Sequence, residues 1–445
     1  MPFTYRSTHV IATLSAVAAL LLSPSRAANP SQCQDIVLTV SASGDNVVVP
    51  PLPSNATTPA AVNDFLGTAT ANLALNKSQI ESGTFNISAR YCPALSRCGG
   101  QKEVIELLVH GGSYTKDYWS GGGFTNTSFN GDPYSWIKYA SERNYATLSI
   151  DELGNGNSSH PDPAQDVQPL LETECIHSVV EQLKAGQIGN TAYSEVLFIG
   201  HSFGSQNLAR LTQNHPTDPA GLILTGYSDD FSGNIPLQVN FGYLPGDLVS
   251  PRFADLPGGY LAMSNRTGRS VAFYYNGSYD PIIPVLDFET EGTVAIGEPF
   301  GNILKPVPQY TGPVLLVSGD HDAVVCGTGH DCLTAPGGLT NSTVARTSSF
   351  FPNAASFAYN LANSSGHSIN FHYSSQQTFG YIHDWIDAKF GGGGGSNGTC
   401  PKNSNTTTTN SPTTTPSTLV AATGSAAINV VNFGAMAAGL LVFLL

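Results

Sequence analysis

Five short runs in the middle of the 445-residue chain are apolar nearly throughout: "EVIELLVH" (103–110), "YATLSID" (145–151), "EVLFIGH" (195–201), "GLILTGYS" (221–228) and "GPVLLVSGD" (312–320). A strand with one wet face alternates apolar and polar residues. Runs without that alternation belong to strands covered on both faces, the situation of a parallel sheet between helices. Helical spacing fills the gaps. In "QPLLETECIHSVVEQLKAG", Leu171, Cys175, Ile176, Val179, Val180 and Leu183 recur three or four residues apart, and "PYSWIKYASERN" and "QQTFGYIHDWIDAKF" are further helix candidates. This alternation predicts an α/β fold over 28–390, with a mostly parallel sheet and helices on both faces. The rhythm fails between 228 and 309, where Gly, Pro, Tyr and Phe dominate. That stretch predicts an inserted cap over the C-terminal edge of the sheet, where such sheets bind ligands.

The ends of the chain read differently. Arg6 precedes an apolar run from Val10 to Leu22, and "SPSRAA" follows. This is the layout of a secretory signal peptide over 1–27, cleaved near Ala27 or Ala28. The run falls short of the ~20 residues a membrane span needs. Beyond Phe390 come a glycine run and a Thr/Ser/Pro-rich tract, which predict a flexible, glycosylated stalk over 391–424. The small residues of "ATGSAA" and the apolar "FGAMAAGLLVFLL" follow. Asn429 and Asn432 interrupt the apolar stretch and no Lys or Arg follows it. That order predicts a GPI-attachment signal over 425–445, with the lipid on Gly424 or Ser425 and the protein on the outer face of the cell membrane or wall.

Charged residues make up only 11% of the chain, against ~25% in an ordinary globular protein, so something else must solvate the surface. Asn-x-Ser/Thr triplets at Asn55, Asn76, Asn86, Asn126, Asn157, Asn265, Asn276, Asn341, Asn363, Asn397 and Asn405 predict a glycan coat. The net charge of -14, with no Lys/Arg cluster, argues against nucleic acid as a partner. The oligomeric state has no signature in the sequence. Export favours disulfides among Cys33, Cys92, Cys98, Cys175, Cys326, Cys332 and Cys400. Cys326 with Cys332, and Cys92 with Cys98, could close short loops, with Cys33–Cys92 as the rival pairing. An odd count leaves one thiol free or shared between chains.

In "EVLFIGHSFGSQNLARLTQ" a strand ends, Ser202 follows between Gly200 and Gly204, and a helix begins. Side chains two residues to either side would crowd so tight a turn. The helix N-terminus directs partial positive charge at the serine. A serine is a weak nucleophile without a base. His367 lies in a Gly-His loop after the strand-like "SFAYNLA", with His372 and the helical His383 as rivals. Asp320 and Asp322 end the strand "PVLLVSGDHD". Alternate residues on one turn rarely converge on a metal, so "DHD" is not read as a metal site.

Taken in order, "VHGGSY", "SIDELGNGNSSHPD", "GHSFG", "GDHD" and "GHSIN" resemble successive landmarks of the α/β-hydrolase superfamily, over Cys33 to Phe390. In particular they resemble exported fungal-type members of its esterase, lipase and epoxide-hydrolase branch. The resemblance implies a nucleophile at Ser202, a base at His367 and an oxyanion hole from the N–H groups of Gly112 and Phe203. The acid of a Gly-x-x-Asp turn maps to Asp322. Asp320 is the alternative, and Asp229 or Asp230 if the acid stands on the earlier strand. No metal or organic cofactor is implied. Ser202 argues against the members that use an Asp nucleophile. The expected activity is extracellular cleavage of carboxylic esters, small or lipid-like, through an acyl-enzyme. The alternative is a cell-surface hydrolase fold that binds or supports without turnover. Deleting Phe433 to Leu445 is expected to send the protein into the medium, and phosphatidylinositol-specific phospholipase C to release the full-length form from membranes. A truncated protein that fractionates with membranes as before would contradict the anchor.

Overall fold

The computed structural model describes residues 33–71, 77–94, 103–123, 129–230, 239–300, 305–327, 332 and 343–391. The expected signal peptide, stalk and anchor, with Gly424 and Ser425, lie outside these residues. So do Cys98, Cys400, Asn76, Asn126, Asn341, Asn397 and Asn405.

The five apolar runs form β3 (Val104–Val109), β4 (Ala146–Ile150), β5 (Glu195–His201), β6 (Gly221–Thr225) and β10 (Pro313–Gly319). With β1 (Gln34–Val47), β2 (Ser78–Cys92) and β11 (Ser356–Ala362) they make one sheet in the order β1-β2-β4-β3-β5-β6-β10-β11. Pairing is parallel from β4 to β11 and antiparallel between β1 and β2 and between β2 and β4. Helices α2 (Trp136–Glu142), α3 (Pro169–Lys184) and α4 (Phe203–Asn214) flank it, α2 against β4, α3 against β1 and α4 against β5, while α1 (Pro59–Ala71) packs near the strand Tyr243–Pro245. Residues 105 and 107–109 of β3 and all of β4 are buried, as strands between two layers require.

The β1–β2 ribbon is one-sided, with Leu38 and Val40 buried and Val37 64% exposed. Its register explains a disulfide. Gln34 pairs with Tyr91, so Cys33 falls opposite Cys92, and these two are joined at a Cα separation of 4.2 Å. The short Cys92–Cys98 loop is therefore corrected to a cross-strand bridge. Cys175 is corrected as well. It is a free thiol buried on α3, where the apolar spacing turns it into the core. Cys326 is bonded to Cys332. The six sequon asparagines within the described residues, Asn55, Asn86, Asn157, Asn265, Asn276 and Asn363, are all exposed.

Between β6 and β10 the chain builds its own antiparallel sheet of β7 (Tyr243–Pro245), β8 (Tyr260–Met263) and β9 (Val294–Ala295). Helices α5 (Arg266–Phe273) and α6 (Ile283–Thr290) belong to the same insertion. It touches loops at the C-terminal ends of β3 and β11. Gly292 N–H donates to the Ser113 carbonyl at 2.8 Å, and Ser368 N–H to the Phe273 carbonyl at 3.0 Å.

Three carboxyls lie under this edge: Glu152 after β4, Glu172 on α3 and Glu298 after β9, all nearly inaccessible. Asn207 Nδ2 donates to Glu152 at 2.7 Å, and the Ala295 N–H to Glu298 at 3.0 Å. Burial holds the Glu152 carboxyl up at about 8 and pushes Glu172 and Glu298 well above the usual carboxylate range. Repulsion from Glu298 and Glu152 adds to the effect at Glu172, against the pull of Arg210. The folded chain thus retains protons that unfolded glutamates release near pH ~4.3. Stability should fall as pH rises from about 6.5 to 8, by about 1.4 kcal/mol per pH unit for each retained proton; below about 6.5 the buried neutral histidines, His201 and His372 among them, act in the opposite direction. Urea unfolding across that range checks this, and Glu172→Gln should flatten the slope. A flat wild-type profile would contradict it.

Candidate functional site

Ser202 directly follows β5 with φ 53° and ψ −116°, a conformation that costs a non-glycine residue about 1–3 kcal/mol. Its N–H donates to the Thr225 carbonyl at 2.8 Å, and Ser205 Oγ donates to the same oxygen at 2.9 Å. The flanking glycines permit the turn by close approach. A Cβ on Gly200 would meet the Ser205 backbone at 2.6 Å, and one on Gly204 the His110 carbonyl oxygen at 2.3 Å. The N-terminus of α4 is thereby pressed against the end of β3.

The Ser202 hydroxyl lies 2.8 Å from His367 Nε2. On the other side of the ring, His367 Nδ1 is 2.9 and 3.0 Å from the two Asp322 carboxylate oxygens. The carboxylate accepts a hydrogen bond from the protonated Nδ1, so the unprotonated Nε2 is left to accept from Ser202. All three side chains are buried. Asp322 is itself fixed, because its Oδ1 accepts from the N–H groups of Val324 (3.0 Å) and Val325 (2.9 Å) and caps the turn Ala323–Cys326. That turn runs into the Cys326–Cys332 bridge, and the Cys332 N–H donates to the Asp320 carbonyl at 2.9 Å. The loop after the acid is closed on itself.

The other candidates have other partners. The Asp320 carboxylate accepts from the N–H groups of Ser364 and Ser365, both at 3.0 Å, and from His321 Nδ1 at 2.7 Å. It caps the turn leading to His367 and does not touch the ring. Asp229 is bonded to Thr347, and the Asp230 backbone to the Ser228 hydroxyl. His372 donates to the Ser368 carbonyl and accepts from the N–H groups of Gly366 and Tyr275, and burial lowers it to about 4. His383 donates to the Phe379 carbonyl and sits 3.1 Å from Glu106. Burial works against its proton, and the Glu106 carboxylate overcomes that and raises it.

The turn His110-Gly111-Gly112 lies against Ser202. A Cβ on Gly111 would come within 3.0 Å of the Ser202 Cβ. Phe203 opens α4, so the Gly112 and Phe203 backbones flank the serine from β3 and from α4. Three features of the site carry no sequence signal of their own. His201 is buried and kept neutral by burial and by the field of His367, stacked 4.5 Å over Tyr118. Gly226, with φ 56°, leaves room for both His201 and His367, each within 2.9 Å of where a Cβ would stand. Phe273 of α5 brings its ring to 5.6 Å from that of His367.

Among the described residues, His177, His215 and Asp218 alone bring three metal-ligating atoms together. The two rings are stacked 3.6 Å apart and nearly parallel, so they cannot share an ion without turning. Asp218 holds His177 at 2.6 Å, Lys184 reaches Asp218 at 3.1 Å, and Glu174 holds His215 at 3.1 Å.

Residues 107–374 match the model of the alpha/beta hydrolase family. The chain belongs to that family. No curated protein matches the sequence. Solved structures similar to this hydrolase include a thermophilic esterase from Thermogutta terrifontis, at 13% identity over 69% of this chain and 95% of the other, TM-score 0.45. A bacterial membrane phospholipase A has 15% identity over 74% and 92%, TM-score 0.42. An enol-lactonase from Burkholderia xenovorans has 14% identity over 68% and 96%, TM-score 0.42.

The two aspartates of "GDHD" should separate in solution. A low-field imidazole N–H resonance from His367 is expected in the wild type and in Asp320→Asn, and lost in Asp322→Asn. Asp320→Asn should instead lower the melting temperature, because it weakens the cap on Ser364 and Ser365. Loss of the resonance in Asp320→Asn alone would reverse the assignment.

Proposed function

We propose that this alpha/beta hydrolase is an extracellular serine hydrolase that cleaves carboxylic esters through an acyl-enzyme. The observation that carries the reading is the buried line of hydrogen bonds from Ser202 through His367 to Asp322, with Ser202 held at positive φ. His367 Nε2 takes the hydroxyl proton as Ser202 Oγ attacks the ester carbonyl. The N–H groups of Gly112 and Phe203 hold the oxyanion. Collapse of the tetrahedral adduct breaks the bond to the alcohol, which leaves with the proton from His367. Water then repeats the sequence on the acyl-enzyme and frees the acid. Asp322 keeps His367 in the required tautomer and stabilises the imidazolium.

The disulfides Cys33–Cys92 and Cys326–Cys332 and the exposed sequon asparagines support the extracellular part of the reading. So does the N-terminal apolar run. The GPI signal at the far end would tether the enzyme to the membrane or wall and bring it to substrates there.

A series of p-nitrophenyl esters of graded acyl length tests the activity. Ser202→Ala should stay folded and lose several orders of magnitude in kcat, and Asp322→Asn should lose about 10⁴. Turnover like wild type in a folded Ser202→Ala protein would remove the nucleophile from this account. A wild-type protein that turns over no ester would leave a binding or structural role.

A further inference from the structure

One buried side chain of the cap insertion, Arg269, joins it to the loop beside Ser202. Arg269 of α5 is fully buried, and its guanidinium grips Asp287 of α6 with two bonds, Nε to Oδ2 at 2.7 Å and Nη2 to Oδ1 at 2.9 Å. Glu291 stands 3.5 Å from Nη1, and burial holds its carboxyl up at about 8. The same Nη1 donates to Ser113 Oγ at 2.7 Å. The guanidinium also covers the rings of Tyr114 at 4.8 Å and Phe273 at 4.7 Å. A buried arginine must be paired, but one bidentate carboxylate does that. The bond to Ser113 is additional, and Ser113 directly follows Gly112.

Ser113 is an unusual residue to find there. Gly111 to Tyr114 form a four-residue turn closed by the Tyr114 N–H on the Gly111 carbonyl at 3.1 Å. Ser113 is the third residue, with φ 61°, a position and angle at which glycine or asparagine is usual. The cap holds it from both sides. Arg269 holds its hydroxyl, and the Gly292 N–H holds its carbonyl at 2.8 Å. The Gly111 carbonyl and the Gly112 N–H belong to one peptide plane, so a turn locked at Ser113 fixes the direction in which that N–H points. The far end of the turn is tied as well. Tyr114 Oη lies 2.6 Å from Ser368 Oγ, and Ser368 follows His367 and donates its N–H to Phe273. One face of α5 thus holds the loop that carries the oxyanion donor and the loop that carries the base.

We propose that Arg269 and Asp287 are positioning residues of the esterase reaction: through Ser113 they aim the Gly112 N–H at the developing oxyanion, so that the cap completes the catalytic frame. This rests on the serine-esterase reading above. A pair that only held the cap down would make no demand on the Ser113 hydroxyl.

Two variants separate the roles. Ser113→Ala keeps the Arg269–Asp287 pair and removes only the link. Arg269→Lys keeps the charge but cannot hold Asp287 in two bonds and reach Ser113 as well. With p-nitrophenyl butyrate, both should lose about 10- to 100-fold in kcat, within the range for a misaimed oxyanion donor, with KM within about threefold of wild type. A trifluoromethyl ketone, which forms a tetrahedral oxyanion on the serine, should lose affinity in parallel with kcat/KM. Amide exchange in a peptide covering 110–119 should quicken in both variants, with 169–184 unchanged. Wild-type kcat and ketone affinity in variants that only melt earlier would overturn the proposal. If wild type itself turned over no ester, the serine-esterase reading would fail separately, and exchange in 110–119 would still decide the clamp: quickened exchange supports it, unchanged exchange overturns it.

Discussion

The 2.8 Å contact between His367 Nε2 and Ser202 Oγ joins two loops 165 residues apart in the chain. Everything else in the fold is arranged so that it can form. Parallel strands all end at the same edge, and the run β5-β6-β10-β11 is parallel throughout. Ser202 leaves the end of β5, Asp322 lies three residues past β10, and His367 follows β11. Only β6 separates the strand before Ser202 from the strand before Asp322, and β6 is followed by Gly226, which leaves room for the His367 ring. An antiparallel sheet would have sent these three loops to opposite edges.

Strain at this edge is held by structure on more than one side. Ser202 and Ser113 both take left-handed backbone angles that their side chains do not favour. The first is held by Thr225 and by the seat of α4 against β3, the second by the cap. Each restraint is a buried polar bond, strong only while both partners remain in place. The insertion between β6 and β10 therefore has two physical tasks. It sets Phe273 beside His367, and it holds the loops that carry Ser113 and Ser368.

Legibility in the sequence followed from how local each signal is. The buried strands were legible because a strand covered on both faces is apolar at every position, and Ser202 because its turn demands glycine on both sides. The β1–β2 ribbon was not legible. Its alternation of buried and exposed residues is weak in a Ser- and Thr-rich stretch, and its pairing joins residues far apart. Without that register, Cys33–Cys92 and Cys92–Cys98 were equal on paper. Asp320 and Asp322 were likewise inseparable, since both end the same strand. What distinguishes them is that Asp320 is occupied by the N–H groups of Ser364 and Ser365. Arg269 had no signal at all, standing in a Gly- and Pro-rich segment with partners at Asp287 and Ser113.

In the proposed reaction, buried Ser202 is made nucleophilic by the line of hydrogen bonds behind it. Treating the folded protein with a fluorophosphonate and mapping the adduct by mass spectrometry tests that directly. The account predicts one adduct per chain, on Ser202, formed rapidly by the wild type and slowly once His367 is replaced by alanine. An adduct on another residue, or labelling of Ser202 at the same rate without His367, would contradict it.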